Sequence, residues 1–471
     1  MKNKILSVNP ETLFLIIGLI YGLGFLIINP PLLGVDNEGE HFDKALYLSD
    51  GYVIPKILDH HAGYYVPEGA YNLEVEFYTF NDMHEKIKIN DIFLLLYQPL
   101  KEYNKVFTDN SPISTVPFTS VSFVAIITYS PVPYLASAFA MIIGKALNFS
   151  PIVLMYIGRL ANLLVWISFI YMAIRIIPVH KWVLLLLALM PTTILLGASL
   201  SADSFTIAIS FLVIAIFLNY AFNKNKKEIE LKDLGILLIL TLLLALSKQT
   251  YFFLIFLFFI IPVNKFGNMK KMVIVFSVLF ILGLEISIIW NMAVIQYYIP
   301  AYPGISIQGQ LSFILSNPLN FIKVLINTIL TNFILTSNTT TSFVGDFGNN
   351  IYGLSIVLLY IFMLIFTALS DKTKIIIHNT KKIIILITYI IIFTLICISM
   401  YLTATPVGQK IIWGMDVGRY LIPIAPLFFL LFYNNNIKFN IKNGFNLIII
   451  FSIIVSLTIA MYLLIKNFYI I

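Results

Sequence analysis

Twelve apolar runs alternate with polar stretches along the chain, at residues 12–29, 122–147, 152–174, 182–200, 204–222, 234–246, 251–263, 272–295, 351–369, 383–402, 420–433 and 444–465. Most approach or exceed the roughly 17–25 residues that carry a helix across a bilayer. The pattern predicts an all-α polytopic membrane protein in which residues 1–471 form one integral membrane domain. Two long polar or amphipathic stretches break the series, Pro30 to Val121 and Gln296 to Asn350. Both are rich in Tyr, Phe and Pro, which predicts ordered loops rather than disordered linkers.

Charge then sets the orientation. Lys2 and Lys4 place the N-terminus on the cytoplasmic side. If every run crossed, the basic segments Arg175 to Lys181 and Asn223 to Asp233 would both lie outside, against the positive-inside tendency. Leaving the run 122–147 uncrossed repairs every loop at once. The proline-rich Ser130 to Tyr134 supports this by cutting that run to about 14 apolar residues, too short for a bilayer core of roughly 30 Å. The run is therefore expected as a juxtamembrane or re-entrant helix within a first extracytoplasmic loop of residues 30–151, with residues 296–350 as the second. The runs 234–246 and 251–263 are expected as two short helices of about 20 Å each, joined outside by Ser247 to Thr250. About eleven transmembrane helices result. The first is read as an uncleaved span, because its basic start is not followed by a small-residue cleavage site.

Composition narrows the class further. The 471 residues are 59% hydrophobic, with mean hydropathy +0.92, and only 11% are charged. Lys and Arg outnumber Asp and Glu by 30 to 23, but they sit in short loops between apolar runs, which points to retention at the cytoplasmic face and to no nucleic-acid partner. The single cysteine, Cys397, excludes a disulfide framework and a Cys-based metal site.

With so few charges, their placement carries the chemistry. Asp36, Glu38, Glu40, His41 and Asp43 crowd the segment after the first apolar run. One of these carboxylates can act as a general base on a hydroxyl, or the acids can simply favour the N-terminus of a helix. Asp203 reads first as part of a helix N-cap with Ser201. Lys248 stands at the tip of an apolar hairpin, where a cation calls for an anionic partner or reaches to the headgroups. Arg159 lies about two turns inside its run, too deep for an idle charge. Arg419, between Gly418 and Tyr420, can grip a phosphate with two donors or anchor at the interface. In the expected topology Tyr134, Asp203, Lys248, Asp346, Arg419 and Tyr420 all reach the extracytoplasmic side, with the acidic segment.

The same residues carry a family resemblance. Glu38, His41 and Phe42 match an acidic motif in the first outer loop, with Asn37 where an Asp is usual and Asp36 one place earlier. Pro131 with Tyr134, Arg159, Ser199 to Asp203, Lys248, Gly345 to Gly348 and Gly418 to Pro423 continue the match in order. The chain thus resembles bacterial membrane proteins of domain of unknown function 2142, placed with the GT-C class of glycosyltransferases. That resemblance implies a GT-C-like fold in the cytoplasmic (inner) membrane. It implies transfer of a sugar from a polyprenyl-phosphate-linked donor to a hydroxyl of an envelope glycan or glycolipid at the outer face, membrane lipid being the surroundings. Asp36 or Glu38 would be the base, and Lys248 and Arg419 would hold the departing phosphate. Glu40, His41, Tyr134, Arg159, Asp203, Asp346 and Tyr420 would line the substrate site. A monophosphate donor needs no metal; a pyrophosphate donor would bring in a divalent ion, with Asp36, Glu38 and Asp203 as ligands. The alternatives are a flippase or exporter of lipid-linked glycan, or an envelope assembly protein without catalysis.

Overall fold

A computed structural model describes residues 9–58, 124–300, 302–345, 353–370, 373–434 and 445–469, with short stretches at 61–63, 66–67, 69–70, 72–74, 77, 86–88 and 92. The described residues are overwhelmingly helical, apart from a small hairpin pairing Lys56–Leu58 with His61–Gly63. Helix α1 (Pro10–Ile28) precedes the acidic segment, and α2 (Glu38–Ser49) begins within it, carrying Glu38, Glu40, His41 and Asp43. They are followed by α3 (Leu135–Ala146), α4 (Pro151–Ile176), α5 (Lys181–Ala188), α6 (Pro191–Gly197), α7 (Ala202–Phe222) and α8 (Leu231–Ser247). A 3₁₀ helix (Gln249–Ile260) leads to α9 (Met269–Val294), α10 (Ile307–Ser316), α11 (Pro318–Ile329), α12 (Asn338–Gly345), α13 (Leu354–Ser370) and α14 (Asn379–Thr403). A second 3₁₀ helix (Gly418–Ile424), α15 (Ala425–Leu431) and α16 (Phe445–Phe468) complete the order.

Local chemistry sets many of these boundaries. Pro10, Pro151 and Pro191 stand at the first turns of α1, α4 and α6, where no intrahelical N–H is lost. Ser201 caps α7 by accepting from Asp203 N at 3.2 Å, and Asn268 caps α9 by accepting from Lys271 N at 2.8 Å. Glu230 and Asp233 close a capping box on α8.

Among the described residues, seven helices are long and apolar enough to cross a membrane: α1, α4, α7, α9 extended to Tyr297, α11 extended through a π turn to Leu335, α14 and most of α16. The protein is a multi-pass membrane protein. Five of the eleven expected runs are not among these seven, while α11, expected in a loop, is; α8 and α13, 17 residues each, fall short in length, and the other three runs differ for physical reasons. The run 182–200 is not one helix but α5 and α6, because Met190 precedes a proline and takes extended dihedrals. Every described side chain from Val183 to Met190 is buried, so α5 is enclosed by protein and does not face lipid. The run 251–263 forms a 3₁₀ helix rather than an α-helix. At about 2.0 Å per residue it reaches further than an α-helix of the same length, and its phenylalanines interleave with α9, Phe252 lying 5.5 Å from Phe280. The run 420–433 starts in a 3₁₀ helix that contains Pro423 and continues as α15.

The proline break does interrupt the run 122–147, leaving a single turn at Val124–Ile127 and a short apolar helix over Val132–Ala146. The described residues between 296 and 345, expected as one loop, are largely helical as α10, α11 and α12, and α11 with its π turn is itself long and apolar enough to span. Helix α7 packs along α4, which also receives α1 and α3. At one end of the bundle meet the C-terminal ends of α1 and α8 and the N-terminal portions of α4 and α7. The opposite end gathers cations: Lys265 Nζ donates to Tyr220 O and Asn223 O, and Lys382 Nζ to Leu431 O and Tyr433 O. Those lysines occupy the basic loops that the sequence assigns to the cytoplasmic side.

Candidate functional site

The site is organised by the return of the chain between α1 and α2. Leu32 and Asn37 both take φ of +63°, in the left-handed region that asparagine and aspartate tolerate better than most residues. Gly34 is required there, since a Cβ would lie 1.6 Å from Asn29 Oδ1. The left-handed Asn37 separates two acids that are nearly adjacent in sequence and gives them opposite surroundings.

Glu38 is turned inward and is fully buried with Arg159. Arg159 Nε donates to Glu38 Oε1 at 2.8 Å, and a second guanidinium nitrogen pairs with Oε2. The remaining guanidinium hydrogens go to the carbonyls of Leu26, Asn29 and Pro30. Glu38 Oε1 also accepts from Leu200 N at 3.1 Å. One ion pair therefore ties the end of α1, the start of α2, α4 and the turn before α7 together. Both carboxylate oxygens are occupied, so Glu38 presents nothing to a substrate.

Asp36 is turned outward, its side chain half exposed. It accepts from Arg419 at 3.0 Å. Arg419 Nε lies 3.5 Å from Asp203 Oδ2, and Asp203 Oδ1 pairs with Lys248. The result is a chain of alternating charge, Asp36, Arg419, Asp203, Lys248, drawn from four segments far apart in sequence. Ser201 supplies the cap of α7, which leaves the Asp203 carboxylate free to act as the hub. Lys248 turns inward rather than to the headgroups, its Nζ 5.0 Å from the Tyr420 ring and 5.5 Å from that of Tyr129, within cation–π range. Arg419 is aimed by Gly418, where a Cβ would lie 2.1 Å from Thr339 O and 2.5 Å from Phe343 N. That glycine lets α12 lie directly against the second 3₁₀ helix, and Ser342 Oγ accepts from Gly418 N at 2.6 Å.

His41 and Tyr134 close the floor beside this chain, His41 Nδ1 lying 2.7 Å from Tyr134 Oη. Burial pushes the His41 imidazole down to about 3, Lys248 and Arg419 add to that, and Asp203 opposes it. The ring is therefore neutral at physiological pH and serves as a hydrogen-bonding group. Glu40 belongs elsewhere: with Asp43 it faces Glu74, whose carboxyl is raised well above the ordinary range by burial first and by these two acids second. Burial likewise lifts Asp43 to about 7, against a hydrogen bond with Glu74. Asp346 lies outside the described residues.

Asp36, Glu38 and Asp203 do not converge as metal ligands: Glu38 is engaged by Arg159, while Asp36 and Asp203 lie on either side of Arg419. Among the described residues no group of three or more His, Cys, Asp or Glu side chains is placed to hold a metal ion. The cavity bordering the ion chain, of about 270 Å³, lies on the Lys248 and Tyr420 side. Beside Asp36 and Arg419 there is only about 10 Å³, between Gly34 and Val35 and the α6 residues Thr192, Leu195 and Leu196. Sequence reasoning missed Tyr129, Tyr251 and Leu200. Tyr251 Oη donates to Tyr420 O at 2.7 Å, and Leu200 acts through its backbone, which no side-chain pattern can reveal. Tyr129 stands directly before the proline break, a position that could have marked it.

Comparison with known proteins adds one match. The family described as "Predicted membrane protein (DUF2142)" has a model that matches residues 19–428. No curated protein and no solved structure matches the chain.

Proposed function

Since the chain belongs to the DUF2142 family of predicted membrane proteins, whose description assigns no reaction, we propose its chemistry from the site: a GT-C-like glycosyltransferase that uses a polyprenyl-phosphate-linked sugar. The observation that carries this reading is the alternating chain Asp36, Arg419, Asp203, Lys248, assembled at one end of the bundle and bordered by a cavity. Asp36 is the base, because it is the exposed acid of the motif while Glu38 is saturated by Arg159. The acceptor hydroxyl gives its proton to the Asp36 carboxylate as its oxygen bonds to the anomeric carbon. The bond from that carbon to the phosphate oxygen breaks, and the electron pair leaves with the phosphate.

Lys248 and Arg419 stabilise the charge that develops on the leaving phosphate. Asp203 holds both cations in register and keeps them from collapsing onto the lipid headgroups. Arg419 contacts Asp36 in the resting protein, so transfer of its guanidinium to an incoming phosphate would release Asp36 for the acceptor. The cavity between Asp36 and α6 is small, so the acceptor reaches Asp36 from its exposed side.

In this reading the site faces the outside of the cytoplasmic membrane, where lipid-linked donors are available and nucleotide sugars are not, and the acceptor is an envelope glycan or glycolipid. Cysteine labelling in intact cells tests the side, with Cys397 buried and silent. Tyr52→Cys is expected to react with an impermeant reagent and Asn225→Cys only after the cells are opened; the reverse would overturn the orientation. The activity is tested by the glycan composition of cells lacking the chain, complemented with wild type, Asp36→Asn or Lys248→Ala at matched protein levels. Loss of a sugar restored by wild type alone supports the transferase. Full restoration by both variants would remove this site from the function.

A further inference from the structure

The geometry points to the 270 Å³ cavity beside Lys248 as a saccharide subsite that reads a single ring attached to a phosphate. It rests on the reading above only in placing that phosphate at Lys248. The volume is near the roughly 300 Å³ lower end of small-molecule sites, which suits one ring rather than an oligosaccharide.

The lining has the two kinds of group that a sugar ring needs, flat aromatic faces for its C–H surface and paired amides for its hydroxyls. Trp290 and Tyr298 project from the end of α9 and the turn after it, and both are held in place by their polar ends. Trp290 Nε1 donates to Thr128 O at 2.8 Å, and Tyr298 Oη to Thr403 O at 2.9 Å. Their ring positions are therefore fixed before any ligand arrives, which lowers the ordering cost of binding.

The amides come from two elements. Asn291 Nδ2 donates to Gln249 Oε1 at 2.8 Å. This single bond leaves the Gln249 amide group as a donor and the Asn291 carbonyl oxygen as an acceptor, side by side at the cavity. A hydroxyl, which donates and accepts at once, satisfies both. Reversing both amides exchanges the two roles and preserves the match. An isoprenoid or acyl chain would leave these groups without a partner, so the pair favours a sugar over a lipid tail. Lys248, the last member of the ion chain, lines the same cavity with Tyr420, which fixes the polarity of the ligand: phosphate toward Lys248, ring toward Trp290 and the amides.

Isothermal titration of the full chain in lipid nanodiscs tests this with four probes of one kind, the 1-phosphates of glucose, galactose, mannose and N-acetylglucosamine, against inorganic phosphate and geranyl phosphate. At least one sugar phosphate should bind tenfold or more tightly than inorganic phosphate. Gln249→Ala and Asn291→Ala should each reduce that ratio about tenfold without changing the affinity for inorganic phosphate, and Lys248→Ala should weaken both. Equal binding of sugar phosphates and inorganic phosphate, a preference for geranyl phosphate, no binding by any probe, or a sugar preference indifferent to both amide variants would overturn the subsite. If inorganic phosphate binding still depends on Lys248 in those cases, the phosphate role survives and only the saccharide assignment falls.

Discussion

Asp36 and Glu38 are two residues apart, and each is held by an arginine, yet they belong to opposite kinds of ion cluster. The Glu38–Arg159 pair is closed: both side chains are fully buried, and carbonyls of the α1 end and the Leu200 amide take up the remaining hydrogen-bonding capacity. The Asp36–Arg419–Asp203–Lys248 chain is open: its terminal acid is about half exposed, and its terminal lysine borders a cavity. A saturated pair fixes geometry, while an unsaturated one can exchange a partner for a substrate. The difference assigns scaffolding to one acid and chemistry to the other, which neither charge nor spacing distinguishes.

The largest effect that would break this contrast is expected at the closed pair. Arg159→Ala strands a buried carboxylate and should cost about 3–5 kcal/mol, read as lost folded protein and a lower unfolding temperature in detergent. A fully stable Arg159→Ala protein would show that the pair is dispensable. Asp36→Asn should do the converse. Its stability should change by less than about 1 kcal/mol, while transfer falls by roughly 10²–10⁴-fold if it is the general base. Equal loss of stability in the two variants would erase the distinction.

Lys248→Ala should come next, weakening donor use by roughly ten- to a hundredfold through loss of one charge-assisted contact of about 1.5–3 kcal/mol. Asp203 would retain Arg419, so the fold should persist. A KM effect without a fall in kcat would show that Lys248 binds the donor equally in the ground and transition states and does not specifically stabilise the leaving phosphate.

The smallest effects concern the two sides of α2. His41 is pushed down to about 3 in the folded protein, so the unfolded chain binds a proton that the folded one refuses. Its contribution makes stability fall as pH drops from about 6.5 toward 3. Asp43 is lifted to about 7, so the folded protein keeps a proton that the unfolded chain releases, and its contribution makes stability fall as pH rises from about 4 to 7. Denaturation of His41→Gln and Asp43→Asn across that range should show changes of opposite slope relative to wild type. Slopes of the same sign would contradict one of the two environments.

The sequence by itself determined the membrane class, because helices of this apolarity have no other stable setting. It determined the break before Tyr134, and it pointed to Asp36, Asp203, Lys248 and Arg419 as the charges to explain, because so few charges stand among the apolar runs. It also marked Arg159 as too deep for an idle charge and Glu38 as one of a crowded set of acids. Only the tertiary structure paired them with each other, and only it separated Glu38 from Asp36, through a left-handed turn at Asn37 that no periodicity records. Tertiary packing likewise enclosed α5 and turned 249–260 into a 3₁₀ helix. An apolar run states that its residues avoid water, and whether protein or lipid surrounds them is decided by the neighbours that arrive from elsewhere in the chain.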